Sequence, residues 1–260
     1  MKLWKTILLI IALVSFFYAI YIWFQEYIKA QTEIEFLSKE ETQTILNNDA
    51  DHYYSRFQKN DLKARGVKNK KDYLAKIANS ACDGDPEVEE KIDFCIGRLK
   101  QRFESLKQET IEGVSIDKLS TLSWKIGFTS DKSYENGLPH TRGDTILLNV
   151  RTVKTKTIDD LCRLLLHEQT HVYQKQIDLS SYLKEEYDNM SISKEELAKI
   201  PANPDTDLNT YRHKKTGEVF MAQYNDSPKY FRDVVFKSGK DDVTKEHPYE
   251  YMAYKMEEIF

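Results

Sequence analysis

The spacing of hydrophobic positions changes from segment to segment along this chain, and each change predicts a different kind of element. Thr6–Phe24, TILLIIALVSFFYAIYIWF, carries no charge. As a helix it rises ~28 Å, close to the ~30 Å hydrocarbon core of a bilayer. Trp4 at one end and Tyr21, Trp23 and Tyr27 near the other suit a membrane–water interface. A cleaved signal peptide, the competing reading, has an apolar core of ~7–15 residues followed by a small-x-small site, and no good site follows here. A buried core helix fits poorly too, because this segment is apolar on every face. The pattern therefore predicts a transmembrane signal anchor. The N-terminal amine with Lys2 and Lys5 outweighs the far flank, where Glu26 and Lys29 cancel. The positive-inside rule then predicts a single-pass membrane protein with a cytoplasmic N-terminus and an extracytoplasmic remainder.

From about Gln31 to Glu112 the apolar period is helical. Ser38-Lys39-Glu40-Glu41 reads as a capping box. Tyr53, Phe57 and Leu62, then Tyr73, Leu74 and Ile77, then Ile92, Phe94, Leu99, Phe103 and Leu106 recur at helical spacing. Cys82-Asp83-Gly84-Asp85-Pro86 breaks the pattern between two helices. This region is expected to pack beside a site without contributing chemistry. Leu119–Phe128 alternates as a strand does, and Thr145–Val150, TILLNV, is β-prone. Thr157-Ile158-Asp159-Asp160 then opens a helix with a hydroxyl cap and first-turn acids, continuing through LCRLLLHEQTHVYQK. Ile177–Ile200 reads as largely helical, up to the break at Pro201-Ala202-Asn203-Pro204-Asp205. Tyr211–Tyr224 reads as a hairpin turning at Thr216-Gly217, and Pro248 predicts a terminal helix over Tyr249–Ile259. The expected organisation is a stub and anchor over 1–30, a helical region over 31–115, and an α+β domain over 116–260.

Composition narrows the function classes. With 260 residues and 40% hydrophobic content, the chain can form one good-sized domain plus an appendage. A net charge of −4 with both signs interspersed shows no basic stripe, so nucleic acid is not an expected partner. Cys82, Cys95 and Cys162 include no C-x-x-C pair, which excludes a cysteine zinc knuckle and a thioredoxin-type motif. Cys82 and Cys95 bracket a turn, and read equally as a disulfide in an oxidising compartment or as two half-buried thiols.

Chemistry concentrates in His167-Glu168-Gln169-Thr170-His171. Histidines four positions apart on a helix share one face, so both imidazoles can bind one metal ion, with Glu168 set to work on a water beside it. This is the H-E-x-x-H zinc signature. A catalytic zinc takes three protein ligands and leaves one position open. Glu250, in Glu250-Tyr251-Met252-Ala253, is the best candidate for the third, since small Ala253 lets its helix pack closely; Glu246, His247 and Glu257 are the alternatives. His140 and His213 read as loop histidines, exposed unless they touch a substrate. Cys162 reads as core packing.

These residues resemble the gluzincins, zinc peptidases with H-E-x-x-H on one helix and a Glu ligand, often within E-x-x-A, on a later one. LLLHEQTHVYQ is also similar to a zincin-like group carrying H-E-x-T-H-V-x-Q after a G-(N/D)-x-I-x-L strand, here Gly143–Leu148. The resemblance covers roughly 120–175 and 245–257. It departs from thermolysin-like enzymes at Tyr254, where they carry an Asp that orients a histidine. The resemblance implies a zincin-like α+β fold and a membrane-anchored zinc metallopeptidase acting on a peptide or protein. Zn2+ would sit on His167, His171 and Glu250, with Glu168 as general base. Thr145–Val150 would be the edge along which an extended peptide pairs. Two other functions stay open: a non-catalytic membrane-tethered interaction domain on a zincin scaffold, and a zinc amidase for a non-peptide amide. Glu168 argues against the first, because a structural metal site needs no general base.

Overall fold

A computed structural model describes Ser15, Tyr18 and residues 34–238 and 242–260. The chain divides into two compact units, residues 1–35 and 36–260. No helix among the described residues is long and apolar enough to cross a membrane. The two longest, Pro86–Ser105 and Ile158–Gln176, carry acidic and basic residues along their length, and a bilayer core offers such groups no partner. This overturns the expected single-pass architecture, with its cytoplasmic N-terminus and extracytoplasmic domain. The segment Thr6–Phe24 that carried the expectation lies outside the described residues, apart from Ser15 and Tyr18.

Strand β1 (Ile34–Phe36) leads into helix α1 (Lys39–Asn47), which starts at the expected capping box: Ser38 Oγ accepts from Glu41 N, and Glu41 accepts from Ser38 N. Helices α2 (Lys59–Ala64) and α3 (Lys70–Ile77) follow, then strand β2 (Ala81–Cys82). Asp85 caps α4 (Pro86–Ser105), with Pro86 in the first turn, where its missing N–H loses nothing. A small hairpin of β3 (Thr110–Ile111) and β4 (Val114–Ser115) runs into α5 (Ile116–Ser120). The strand expected from Leu119 therefore begins later, as β5 (Trp124–Thr129), because Ser115 accepts from Lys118 N and caps a helical turn first.

Strands β6 (His140–Arg142) and β7 (Thr145–Asn149) turn at Gly143, whose φ of +62° suits glycine. The main sheet has the order β1-β5-β7-β6, with β2 also on β5. β7 runs parallel to β5, Ile146 opposite Ile126, and antiparallel to β6, Ile146 opposite Thr141. So β7 is an interior strand, all five residues buried. The region expected to be purely helical contributes β1 and β2 to this sheet. Cys82 is half-buried on β2, while Cys95 is buried on α4 and donates to the Ile158 carbonyl at 3.4 Å. All three cysteines are free thiols.

After α6 (Val150–Thr155), Thr157 accepts from Asp160 N and caps α7 (Ile158–Gln176), as its sequence predicts. The helix expected over Ile177–Ile200 is instead α8 (Ser180–Glu186), β8 (Tyr187–Asn189) and a single turn, α9 (Lys194–Leu197). Local propensity loses here to tertiary pairing. β8 pairs with β9 (Tyr211–His213), which hairpins to β10 (Val219–Phe220), and Tyr187 packs edge-on against Tyr211, His213 and Phe220. β11 (Ala222–Tyr224) and β12 (Val234–Phe236) form another hairpin, and the chain ends in α10 (Pro248–Glu257). α7 lies at the centre, packed against α4, α10 and the β6–β7 side of the sheet.

Candidate metal centre

The i, i+4 spacing on α7 brings the Nε2 atoms of His167 and His171 to 3.1 Å from each other. α10 crosses that face closely because Ala253, one turn beyond Glu250, is fully buried with no bulk to hold the helices apart. Glu250 Oε2 lies 3.4 Å from His167 Nε2, and Oε1 lies 3.8 Å from His171 Nε2. His167, His171 and Glu250 thus form a buried group that can hold a metal ion.

The hydrogen bonds behind the ligands show what this group lacks. Gln174 donates its amide to the Tyr249 carbonyl at 2.9 Å, so its oxygen faces His171 Nδ1, 2.8 Å away. Nδ1 must carry the proton, and His171 Nε2 presents a lone pair. His167 Nδ1 lies 2.7 Å from Glu257 Oε1, an acceptor only, so its proton is also on Nδ1. With both rings neutral, two lone pairs and a carboxylate converge with no donor between them, an arrangement a cation completes. Without a metal, a proton takes that role. Burial disfavours the His167 imidazolium, but the Glu250 and Glu257 carboxylates outweigh it and hold its pKa well above the usual value, while burial lowers that of His171.

Glu168 follows the first histidine and is 3% exposed. Its Oε2 accepts from Thr141 Oγ1 at 3.1 Å, and the same hydroxyl reaches the Glu168 carbonyl at 3.1 Å. Burial, reinforced by the Asp205 carboxylate, pushes the Glu168 carboxyl up to about 8 in the metal-free chain. Thr141 is held in turn: its N–H donates to Asp205 Oδ1 at 3.0 Å, and Lys175 Nζ donates to its carbonyl at 2.6 Å and to Asp205 at 2.9 Å. Asn203 Nδ2 donates to Glu250 Oε1 at 3.0 Å and to Glu246 Oε1 at 2.9 Å.

The centre opens onto a cavity of about 490 Å³, whose wall includes His167, Glu168, Glu246, Glu250, Tyr254 and Glu257. Of the alternative third ligands, none joins the metal group. Glu246 shares Asn203 with Glu250, His247 accepts from Tyr249 N to cap α10, and Glu257 orients His167. Tyr254 stacks its ring edge-on to His167 at 4.8 Å, and orients it by packing alone. His140 is not an exposed loop residue: it is 4% exposed on β6 and its Nδ1 donates to the Leu138 carbonyl at 3.1 Å. His213 is partly buried on β9, away from the cavity wall.

Sequence reasoning missed Thr141, Asp205, Lys175 and Asn203, saw Gln174 only as part of the resembling motif, and took Glu257 for an alternative ligand rather than the partner of His167 Nδ1. Gln174 carried a signal, since it falls one helical turn after His171 on the same face. Glu257 carried a fainter one, two turns beyond Glu250 on α10. Thr141, Asp205 and Asn203 reach the centre only through the path of the backbone. Comparison with family models, curated proteins and solved structures yields no match.

Proposed function

We propose that this chain is a zinc-dependent hydrolase of peptide bonds, of the gluzincin-like kind its motifs resemble. One observation carries the reading: His167 and Glu250 of the buried His167–His171–Glu250 group and the buried Glu168 line the same cavity. Two imidazoles and one carboxylate are the donor set of catalytic zinc, which keeps a further position for water. A zinc ion held there supplies an acidified water and polarises the scissile carbonyl.

The chain's own residues do the proton work. A Glu168 oxygen takes the proton of the attacking water as the new C–O bond forms, then delivers it to the amide nitrogen as the C–N bond breaks, so the proton count closes on the free amine. Thr141 Oγ1 holds one Glu168 oxygen in place. The low dielectric of the buried site supports a carboxyl basic enough to receive a proton and acidic enough to return it. Glu257 and Gln174 keep both imidazoles in the Nδ1–H tautomer, with Nε2 free to ligate.

The test is zinc content together with cleavage profiling of a peptide library by the full-length protein and by Glu168→Gln. We expect one zinc per chain in both, and cleavage lost by ~10³-fold or more in the variant. A chain that binds no zinc, or a variant that cleaves at the wild-type rate, overturns the assignment.

A further inference from the structure

Extended substrates of a sheet-backed site are held by main-chain pairing to a free strand edge, which requires outward N–H and C=O groups on alternate residues. In this chain β7, the strand with the motif-like sequence, is interior, and β6 is the edge. The outward groups of β6 are taken. Thr141 N–H is bonded to Asp205 and Thr141 C=O to Lys175, with Asp205 and Lys175 paired to each other. Two residues earlier, the next outward position is Pro139, which has no N–H. The Leu138 carbonyl is occupied by His140 Nδ1. Two residues after Thr141 comes Gly143, at φ +62° in the turn. A peptide could pair here only by parting Lys175 from the buried Asp205, which would strand a carboxylate away from water.

The cavity's shape agrees. Asp160, Arg232 and Val243 are exposed where they line it. Tyr53, Arg65 and Glu135, which also line it, are 0%, 6% and 6% exposed. They form buried wall whose charges are already satisfied: Arg65 donates to both Glu135 oxygens at 3.0 and 2.9 Å, and to Tyr53 Oη at 2.7 Å. A cavity of about 490 Å³ is the size that encloses a small molecule rather than a through-running chain.

We propose that the substrate is a short peptide or a chain end that enters end-on, and that internal stretches of an extended chain are excluded. This rests on the peptidase reading above, and names the substrate class for the same site.

The zinc-loaded full-length protein is given three substrates: a linear hexapeptide with a bond it cleaves, the same sequence closed head to tail, and the same sequence in the middle of a ~30-residue unstructured peptide. Cleavage within about three residues of an end, with kcat/KM for the linear hexapeptide ~100-fold or more above both other substrates, is expected. Glu168→Gln runs beside each as the control. If the cyclic and mid-chain bonds are cut as fast as the linear one, and Glu168→Gln stops all three, the peptidase reading stands and end-on entry is overturned. If the zinc-loaded protein hydrolyses no peptide from the library onward, both fall together.

Discussion

Glu257→Gln separates a metal centre with an organised outer shell from a chance meeting of two histidines and a glutamate. The substitution keeps the volume and an oxygen that can accept from His167 Nδ1–H, and removes only the charge. The bond it weakens is short, 2.7 Å, and charge-assisted. Such bonds contribute about 1.5–3 kcal/mol, against about 0.5–1.5 for neutral ones, so the difference is roughly 1–1.5 kcal/mol. The Glu257 side chain is 26% exposed, and solvent screening favours the lower half of that range. At ~1.4 kcal/mol per factor of ten, the expected outcome is a roughly tenfold weaker affinity for zinc, the low end of the range for carboxylates behind a ligating histidine. The assay is competition of metal-free protein with a fluorescent zinc chelator, with Glu258→Gln as the control. Glu258 is the next residue, exposed and paired with Lys255 at 2.7 Å, so its substitution should change nothing. Equal affinity for Glu257→Gln and wild type, or an equal loss in both variants, refutes the reasoning.

Zinc affinity should rise with pH. The pKa of His167 is raised in the metal-free chain, so at neutral pH its proton must leave for the metal to enter; below that folded pKa, each unit of acidification weakens binding by about tenfold. A pH-independent affinity in the chelator competition would contradict this. Thr141→Val removes the 3.1 Å bond to Glu168 Oε2, and should lower kcat roughly tenfold with zinc content unchanged, while Thr141→Ser restores it. A fall in zinc content instead would make Thr141 a structural residue. Arg65→Met leaves Glu135 and Asp61 buried without their cation, and should destabilise the fold by about 3–5 kcal/mol in urea titrations. An unchanged midpoint would show that those carboxyls are already neutral.

The readable part of this protein was what the backbone determines over a few residues. Helix geometry alone puts His167, Glu168 and His171 around one point, and capping rules alone place Ser38 and Thr157 at helix starts. Glu250 was reachable by the same logic, because its E-x-x-A spacing describes a helix that must pack closely. Elements longer in sequence than in influence failed. Ile177–Ile200 has a helical composition, yet Tyr187 is drawn into β8 by aromatic rings from β9 and β10. The resemblance implied that Thr145–Val150 is an edge open to a peptide, whereas the strand Thr145–Asn149 is interior, paired on both sides and buried, because hydrophobic content cannot say which neighbours cover a strand. The membrane span expected at Thr6–Phe24 lies outside the described residues, apart from Ser15 and Tyr18, and no helix among those described is long and apolar enough to cross a membrane.

The sequence by itself therefore determined that His167 and His171 face one point with Glu168 beside them, and which helix carries them, since those relations span one or two turns and depend only on a rise of ~1.5 Å per residue. The tertiary structure alone decided which carboxylate orients His167 from 90 positions away. It also decided that Asp205 and Lys175 close the edge of β6 over Thr141. Those contacts join groups far apart in the chain, and their energies depend on burial and on hydrogen-bond partners that exist only once the sheet, α7 and α10 have packed together.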